Sequence, residues 1–399
     1  MTSEILSPRD LGAMHDGAAV RVGGRVRLHP NGTWQLADAT ASVVVESEDA
    51  APDDGSLVVV DAIWRHGRLT EAAVVERHAV LGGSKEASRL LDRGVGHALF
   101  QRALVLREIR AWFDERGFLE VETPQRVPSP GLDLHLDAFE SDGAYLITSP
   151  EYQMKRLLVG GLPRIYQLVH CFRAGERGDS HNSEFLMLEW YRAFAGIDDV
   201  IRDTEEIIAR VATVLTGGPN VRLGKRCIDL KPPFRQLTVL DAFERYAGLD
   251  ADTVLRLAES DEDAYFGTLV EKVEPSLAAL DHAVVLRDFP AVHASLARRR
   301  PDDPRLCERF EVYVGGVELC NGFGELTDAR EQRARFERDC VARREVGKPV
   351  YPMDERFLEA LEEGMPPSGG NALGVDRLIA LGLGAERIGD GMAFPDGWL

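Results

Sequence analysis

The chain has 399 residues, 44% hydrophobic and 28% charged, with a net charge of −19 at pH 7. That length supports a large core and two domains, and the acidic balance excludes broad non-specific nucleic-acid binding while leaving room for a local basic groove. No apolar run of about 18 residues occurs, and the N-terminus carries no basic or apolar signal region, so no membrane span or secretory leader is expected. Five scattered cysteines without a C-x-x-C pair read as small buried apolar residues in a reducing cytoplasm, not as a zinc or redox site.

The first eighty residues read as short strands. Apolar alternation covers 20–27, 33–38, 42–46, 57–64 and 69–75, the second stretch following an Asn31-Gly32 turn and the last following Gly67. Five β segments without a clear helix predict a small OB-like Greek-key barrel as a domain over 1–82, with a small sandwich as the alternative. Gly82-Gly83-Ser84 reads as a linker.

From Phe100 the period changes. Phe100, Ala103, Leu104, Leu106, Ile109, Trp112 and Phe113 recur at helical spacing, and Gly117 supplies the stop. A strand over 118–122 runs into Thr123-Pro124, and further strands are expected at 144–148, 165–168, 185–191, 310–314 and 317–321, the last two joined by a tight Gly315-Gly316 turn. Residues 196–290 read as largely helical and acidic, without a motif. The pattern predicts an α+β catalytic domain over 97–399, an antiparallel sheet with helices around it.

Arg173 lies in Cys171-Phe172-Arg173-Ala174-Gly175-Glu176, and Arg377 closes Gly370-Asn371-Ala372-Leu373-Gly374-Val375-Asp376-Arg377. Both are cations beside small residues, where a polyanion can approach the backbone. Arginine suits phosphate, and carboxylates suit Mg²⁺ and amines. In 185–191, period two puts Phe185, Met187, Glu189 and Tyr191 on one face, a pocket wall for an amine with an aliphatic chain, and Leu186, Leu188 and Trp190 on the packing face. The loop from Arg173 to Glu184, with Glu176, Arg177, His181 and Asn182, can clamp a nucleotide. Glu318 and Glu325 flank Asn321 and offer oxygens to a Mg²⁺ whose other ligands would be ATP and water. Gly370, Ala372 and Gly374 alternate, leaving a strand face bare enough for adenosine. Each segment also has a plainer reading: a half-exposed sheet, a solvated hairpin loop, a pair of surface carboxylates, tight helix–strand packing. Taken together they point to ATP activating an amino acid.

On these residues the chain resembles class II aminoacyl-tRNA synthetases of the lysyl type, over about residues 97–397. Glu120-Val121-Glu122-Thr123-Pro124 is similar to motif 1, which builds the dimer interface; 172–191 to motif 2; 370–377 to motif 3; and 148–157 to the amino-acid-site signature. Stretches 181–192, 308–313 and 317–330 resemble the paralogue family of elongation factor P–(R)-β-lysine ligases. The resemblance implies that Ser149, Glu151, Tyr191 and Glu325 contact the amino acid, with Glu189, Asn321 and Ala372 lining the same pocket. It implies that Arg173, Asn182, Glu318, Leu319, Gly374 and Arg377 bind ATP, that Arg173 and Arg377 are catalytic, and that Glu318 and Glu325 hold Mg²⁺; Glu176, in the nucleotide-clamping loop, is a further ATP-binding candidate.

Three departures stand out. Gly175 occupies the place of a motif 2 Glu that contacts adenine in many lysyl enzymes, and Glu176 follows it. Ala372 stands where lysyl-tRNA synthetases have Gly, as it does in the ligase family. The N-terminal β domain is absent from typical members of the ligase family, whereas lysyl-tRNA synthetases use theirs to hold the anticodon. Here residues 1–80 carry seven Arg, no Lys and twelve Asp plus Glu, a balance of −5, with only Trp34 and Trp64 as large stacking groups. A barrel kept for packing or partner binding is the expectation.

The function expected is therefore ATP-dependent activation of lysine or (R)-β-lysine as an adenylate, and its transfer to a lysine of elongation factor P. The enzyme would be a cytoplasmic homodimer, without tRNA or membrane as partner. The alternatives are a lysyl-tRNA synthetase and a catalytically silent regulatory paralogue.

Overall fold

The structure, a computed structural model, describes residues 4–78, 80 and 85–398, so the expected linker at Gly82-Gly83-Ser84 lies outside the described residues. The chain divides into two compact units, Met1–Gln101 and Arg102–Leu399. In the first, β1 (Ala18–Leu28), β2 (Trp34–Ala37), β3 (Ser42–Val45), β4 (Leu57–Arg65) and β5 (Arg68–His78) close into a barrel in the order β1-β2-β3-β5-β4. Only β3 and β5 pair in parallel. Alternation drives the closure: Val20, Val22, Val26, Leu36, Val58 and Val60 point inward and share one core. The OB-like barrel, not the sandwich, is what these strands build. Trp34 is 4% exposed in that core, so it has no free face for a base. Arg21, Arg27, Arg65 and Arg68 are ion-paired to Asp61, Asp92, Glu71 and Glu46, so their charge is neutralised within the unit.

The second unit carries an eight-stranded sheet. Helix α1 (Val95–Glu115) leads to β6 (Leu119–Glu120) and to a small sheet of β7 (Arg126–Val127), β8 (Glu140–Ser141) and β9 (Ala144–Leu146). Then come α2 (Glu151–Val159), β10 (Arg164–Phe172), β11 (Glu184–Ala193), α3 (Ile197–Thr216), and the hairpin β12 (Asn220–Leu223) and β13 (Arg226–Asp229). After β14 (Arg235–Thr238), helices α4 (Val239–Ala247), α5 (Ala251–Ser260), α6 (Glu262–Thr268) and α7 (Glu274–Ala278) precede β15 (Val284–Pro290), β16 (Leu306–Val314) and β17 (Val317–Gly324). The chain ends with α8 (Ala329–Glu345), α9 (Glu355–Gly364), β18 (Ser368–Gly374) and α10 (Val375–Leu383). The sheet order is β14-β15-β16-β17-β18-β11-β10-β6.

Its strands run antiparallel except at the edges, where β6 pairs with β10 and β14 with β15 in parallel. The segment 196–290, expected to be largely helical, also contributes β12 to β15. Its strands β12 to β14 have four residues each, too few to show a period. Of the strand expected over 118–122, only Leu119–Glu120 is assigned. Gly315 and Gly316, at φ 60° and 93°, make the β16–β17 turn. One face of the sheet, through Leu186, Leu188, Trp190, Val312, Cys320 and Leu373, packs on α1, α3 and α10 in a single core. The other face carries the site.

Candidate active site

Strand register aligns three rows on that second face. Val169, Met187 and Gly374 form one. Gln167, Glu189, Ala372, Asn321 and Glu311 form the next, across five strands. Ile165, Tyr191, Gly370, Phe323 and Arg309 form the third. Gly370, Ala372 and Gly374 thus make a trough along β18 between functional side chains on β11 and β17. A cavity of about 550 Å³ opens over the face. Ser149, Glu151, Asn321 and Ala372 line it from the expected amino-acid set, and Arg173, Glu176, Asn182, Glu318, Leu319, Gly374 and Arg377 from the expected nucleotide set. Glu189, Tyr191 and Glu325 are buried beneath that lining, each at most 3% exposed.

The amine side is a buried polar cluster. Glu189, 1% exposed, accepts hydrogen bonds from Ser149 Oγ at 2.8 Å and Tyr191 OH at 2.6 Å. Burial pushes its carboxyl up to about 8, with the charge of Glu151 adding to the shift. The half-exposed Glu189 of the plainer reading is therefore ruled out. Glu151 stands in the first turn of α2, and Lys155 one turn on reaches back to it at 2.6 Å. Lys155 Nζ also lies 2.5 Å from Glu325 Oε2. Burial pushes Glu325 up to about 7 against the pull of Lys155. Burial works to lower Lys155, but Glu151 and Glu325 outweigh it and its pKa ends raised, so it stays an ammonium.

The nucleotide side holds the two arginines. The Arg173 backbone N–H donates to Ser183 O at 2.9 Å, closing the loop between β10 and β11. Its guanidinium lies 5.0 Å over the Phe185 ring and 3.7 Å from Glu176, and its buried Nε has no partner. Arg377 donates to Glu318 O at 3.0 Å and meets His181 Nε2 at 2.8 Å. His181 must offer a lone pair there, and partial desolvation together with the charge of Arg377 lowers its pKa, which favours the neutral ring. Partial desolvation in the cavity wall, then the charge of Glu311, push the Glu318 carboxyl above the usual carboxylate range. Gly175 has φ 83°, a left-handed turn that favours glycine, which gives a conformational reason for the residue that departs from the motif. Asn182 spans the loop: its Oδ1 accepts from Asp396 N at 2.7 Å and its Nδ2 donates to Glu184 O at 2.6 Å.

The model of class II tRNA synthetases (D, K and N) matches residues 85–397. The elongation factor P–(R)-β-lysine ligase of Proteus mirabilis (strain HI4320) is 43% identical over 311 residues, covering 74% of this chain and 94% of that protein. That of Klebsiella pneumoniae (strain 342) is 44% identical over 312 residues with the same coverage, and that of Mannheimia succiniciproducens is 40% identical over 321. The chain belongs to the class II tRNA synthetase family, in the branch of these ligases. It is an ATP-dependent ligase of the class II type, and its β1–β5 barrel lies outside the residues that match the family.

Within this class II site, four residues escaped the sequence reading. Lys155 sits in the recognised 148–157 signature, but its partner Glu325 is far along the chain. Arg309 donates to Glu311 Oε1 at 2.7 Å, and both line the cavity at the β16 end of the rows. Asp376, in the first turn of α10, is ion-paired to Arg102 and accepts the Leu186 N–H at 2.6 Å, which anchors Arg377 beside it. Lys155 and Asp376 depend on long-range pairing, and Arg309 and Glu311 on the register of β16 with β17, neither of which spacing encodes. Among the described residues no group of three His, Cys, Asp or Glu is placed to hold a metal. Glu318, with a side chain 40% exposed in the cavity wall, fits one Mg²⁺ ligand position. Glu325, expected to share that ion, is 1% exposed and ion-paired to Lys155, so its carboxylate faces an ammonium. No helix among the described residues is long and apolar enough to cross a membrane.

Proposed function

We propose that this cavity activates lysine or (R)-β-lysine with ATP and passes the acyl group to a lysine of elongation factor P, the acceptor named for the relatives. The observation that carries the reading is the juxtaposition of a carboxylate-rich amine pocket with two arginines along one trough. A substrate carboxylate oxygen attacks the α-phosphorus, the bond to the pyrophosphate oxygen breaks, and pyrophosphate leaves. The acceptor nitrogen then attacks the acyl carbon, loses its proton, and AMP departs. No side-chain nucleophile is needed. Arg173 and Arg377 neutralise developing phosphate charge, while Glu151, Glu189 and Tyr191 fix the amine end so that the carboxylate meets the phosphorus. Mg²⁺ would supply further neutralisation on the phosphates, held by Glu318, ATP oxygens and water.

The test is pyrophosphate exchange with each amino acid, followed by acceptor assays with elongation factor P and with tRNA. Exchange without transfer to elongation factor P, but with charging of tRNA, reverses the assignment. The presence of an OB-like barrel favours that second reading. The buried Trp34 and the paired barrel arginines weigh against it, and so does Ala372. A silent paralogue would have no need of both arginines at the cavity. The reading includes a cytoplasmic homodimer, which sedimentation can check.

Ala372 sits between Glu189 and Asn321 on the trough floor. Its methyl group shapes the space around the amine-bearing carbon. Ala372→Gly should shift kcat/KM toward α-lysine over β-lysine by about 1–3 kcal/mol. An unchanged ratio would remove Ala372 from the specificity set.

A further inference from the structure

At the amine end of the cavity, where Glu151 reaches the wall, three carboxylates and one ammonium cluster, the other three of the four groups lying just beneath the lining. Glu189 and Glu325 are each 1% exposed, the Glu151 side chain is 17% exposed, and Lys155 is 0% exposed. Lys155 joins Glu151 at 2.6 Å to Glu325 at 2.5 Å. Glu189 has only the hydroxyls of Ser149 and Tyr191. With all three carboxyls ionised, the state that bound ammonium groups favour over the neutral acids that burial favours, the group is short of two cations. Buried carboxylates without counter-charge are costly. A ligand with two ammonium groups removes the deficit, while a ligand with one leaves a carboxylate unbalanced. Glu325 Oε1 has no hydrogen-bond partner, so the ion pair leaves an acceptor free.

We propose that Lys155 is a specificity-determining positioning residue. It fixes the charge deficit of the pocket at two, selecting a diammonium substrate over a monoammonium one of the same chain length, and it holds Glu151 and Glu325 in register for the ligand. The inference rests on the reading that this cavity takes an amino acid. An ordinary buried ion pair would support folding but would not set ligand charge.

Three variants separate these roles, measured with lysine and norleucine in pyrophosphate exchange. Lys155→Met raises the deficit to three and should raise the lysine KM about tenfold or more, with kcat within a few-fold. Lys155→Met/Glu151→Gln returns the deficit to two. Glu151 itself contacts the amine, so the double variant still binds lysine less well than the wild type, but its loss should be clearly smaller than the product of the two single losses, a coupling that independent damage at two sites would not produce. Glu151→Gln by itself lowers the deficit to one and should shrink the preference for lysine over norleucine about tenfold. If Lys155→Met does not fold, the Glu151→Gln ratio decides. A double variant whose loss equals the product of the two single losses, or an unchanged lysine-to-norleucine ratio in Glu151→Gln, overturns the proposal. Thermal shifts with 1,5-diaminopentane and pentylamine read the charge count without catalysis. A wild-type chain stabilised more by the diamine, yet inactive in exchange, keeps the charge count and sinks the activation reading. Equal shifts sink the charge count.

Discussion

Arg173→Ala and Arg377→Ala will each lower amino-acid-dependent pyrophosphate exchange about a hundredfold or more. Both guanidinium groups line the cavity, and neither is tied up by a close carboxylate: Arg173 is 3.7 Å from Glu176 and Arg377 is 3.9 Å from Glu318. Arg377 spends one N–H of each terminal nitrogen on Glu318 O and His181 Nε2, which leaves the others for a triphosphate, and the two arginines come from different elements, one from the loop after β10 and one from the first turn of α10. Loss of either removes charge that matters most when the pentacoordinate phosphorus forms, so kcat should fall more than ATP affinity. Folding should change little, because their direct partners are few and partly exposed. Lysine in place of either arginine restores the charge without the planar fork, and should recover only part of the rate. Near-normal exchange in both alanine variants would remove the arginines from the reaction.

Much of this site could be read in the sequence because it is built on strands, whose period of two is visible in a single segment. Glu189 and Tyr191 fell on the correct face of β11 for that reason, opposite the packing residues Leu186, Leu188 and Trp190. The barrel was legible from the same alternation, with Asn31-Gly32 marking the first turn. Register between distant strands could not be read. The row from Gln167 to Glu311 crosses five strands, and only pairing shows that Glu311 and Glu189 share a face. Lys155 was hidden for a related reason. In sequence it is one basic residue of an amphipathic helix, and only the fold brings Glu325 to it. The C-terminal segment was likewise silent, yet Asp396 accepts from the Ser183 N–H at 3.0 Å and donates its own N–H to Asn182, fixing the nucleotide loop.

Gly370→Ala should reduce kcat/KM for the amino acid about a hundredfold, while ATP binding stays within a few-fold. Gly370 does not adopt a left-handed conformation, so alanine meets no backbone penalty there. The obstacle is space. A Cβ at Gly370 would overlap the Tyr191 ring and lie 2.5 Å from Glu325 Oε1. Neither group can yield freely: Tyr191 is 3% exposed and its hydroxyl is bonded to Glu189, and Glu325 is held by Lys155. The methyl group must therefore push one of the groups that frame the amine pocket, and an error of about 1 Å at that end is carried to the reacting carboxylate. Overpacking should also lower stability by about 1–3 kcal/mol. Gly374→Ala provides the comparison. Its Cβ would meet nothing nearer than Arg377 Cδ at 3.5 Å, an ordinary contact, so it should melt like the wild type. Exchange kinetics at varied amino acid and ATP, alongside thermal melts of both variants, separate the effects. A Gly370→Ala enzyme with a wild-type amino-acid kcat/KM would show that Tyr191 and Glu325 do not define the amine pocket.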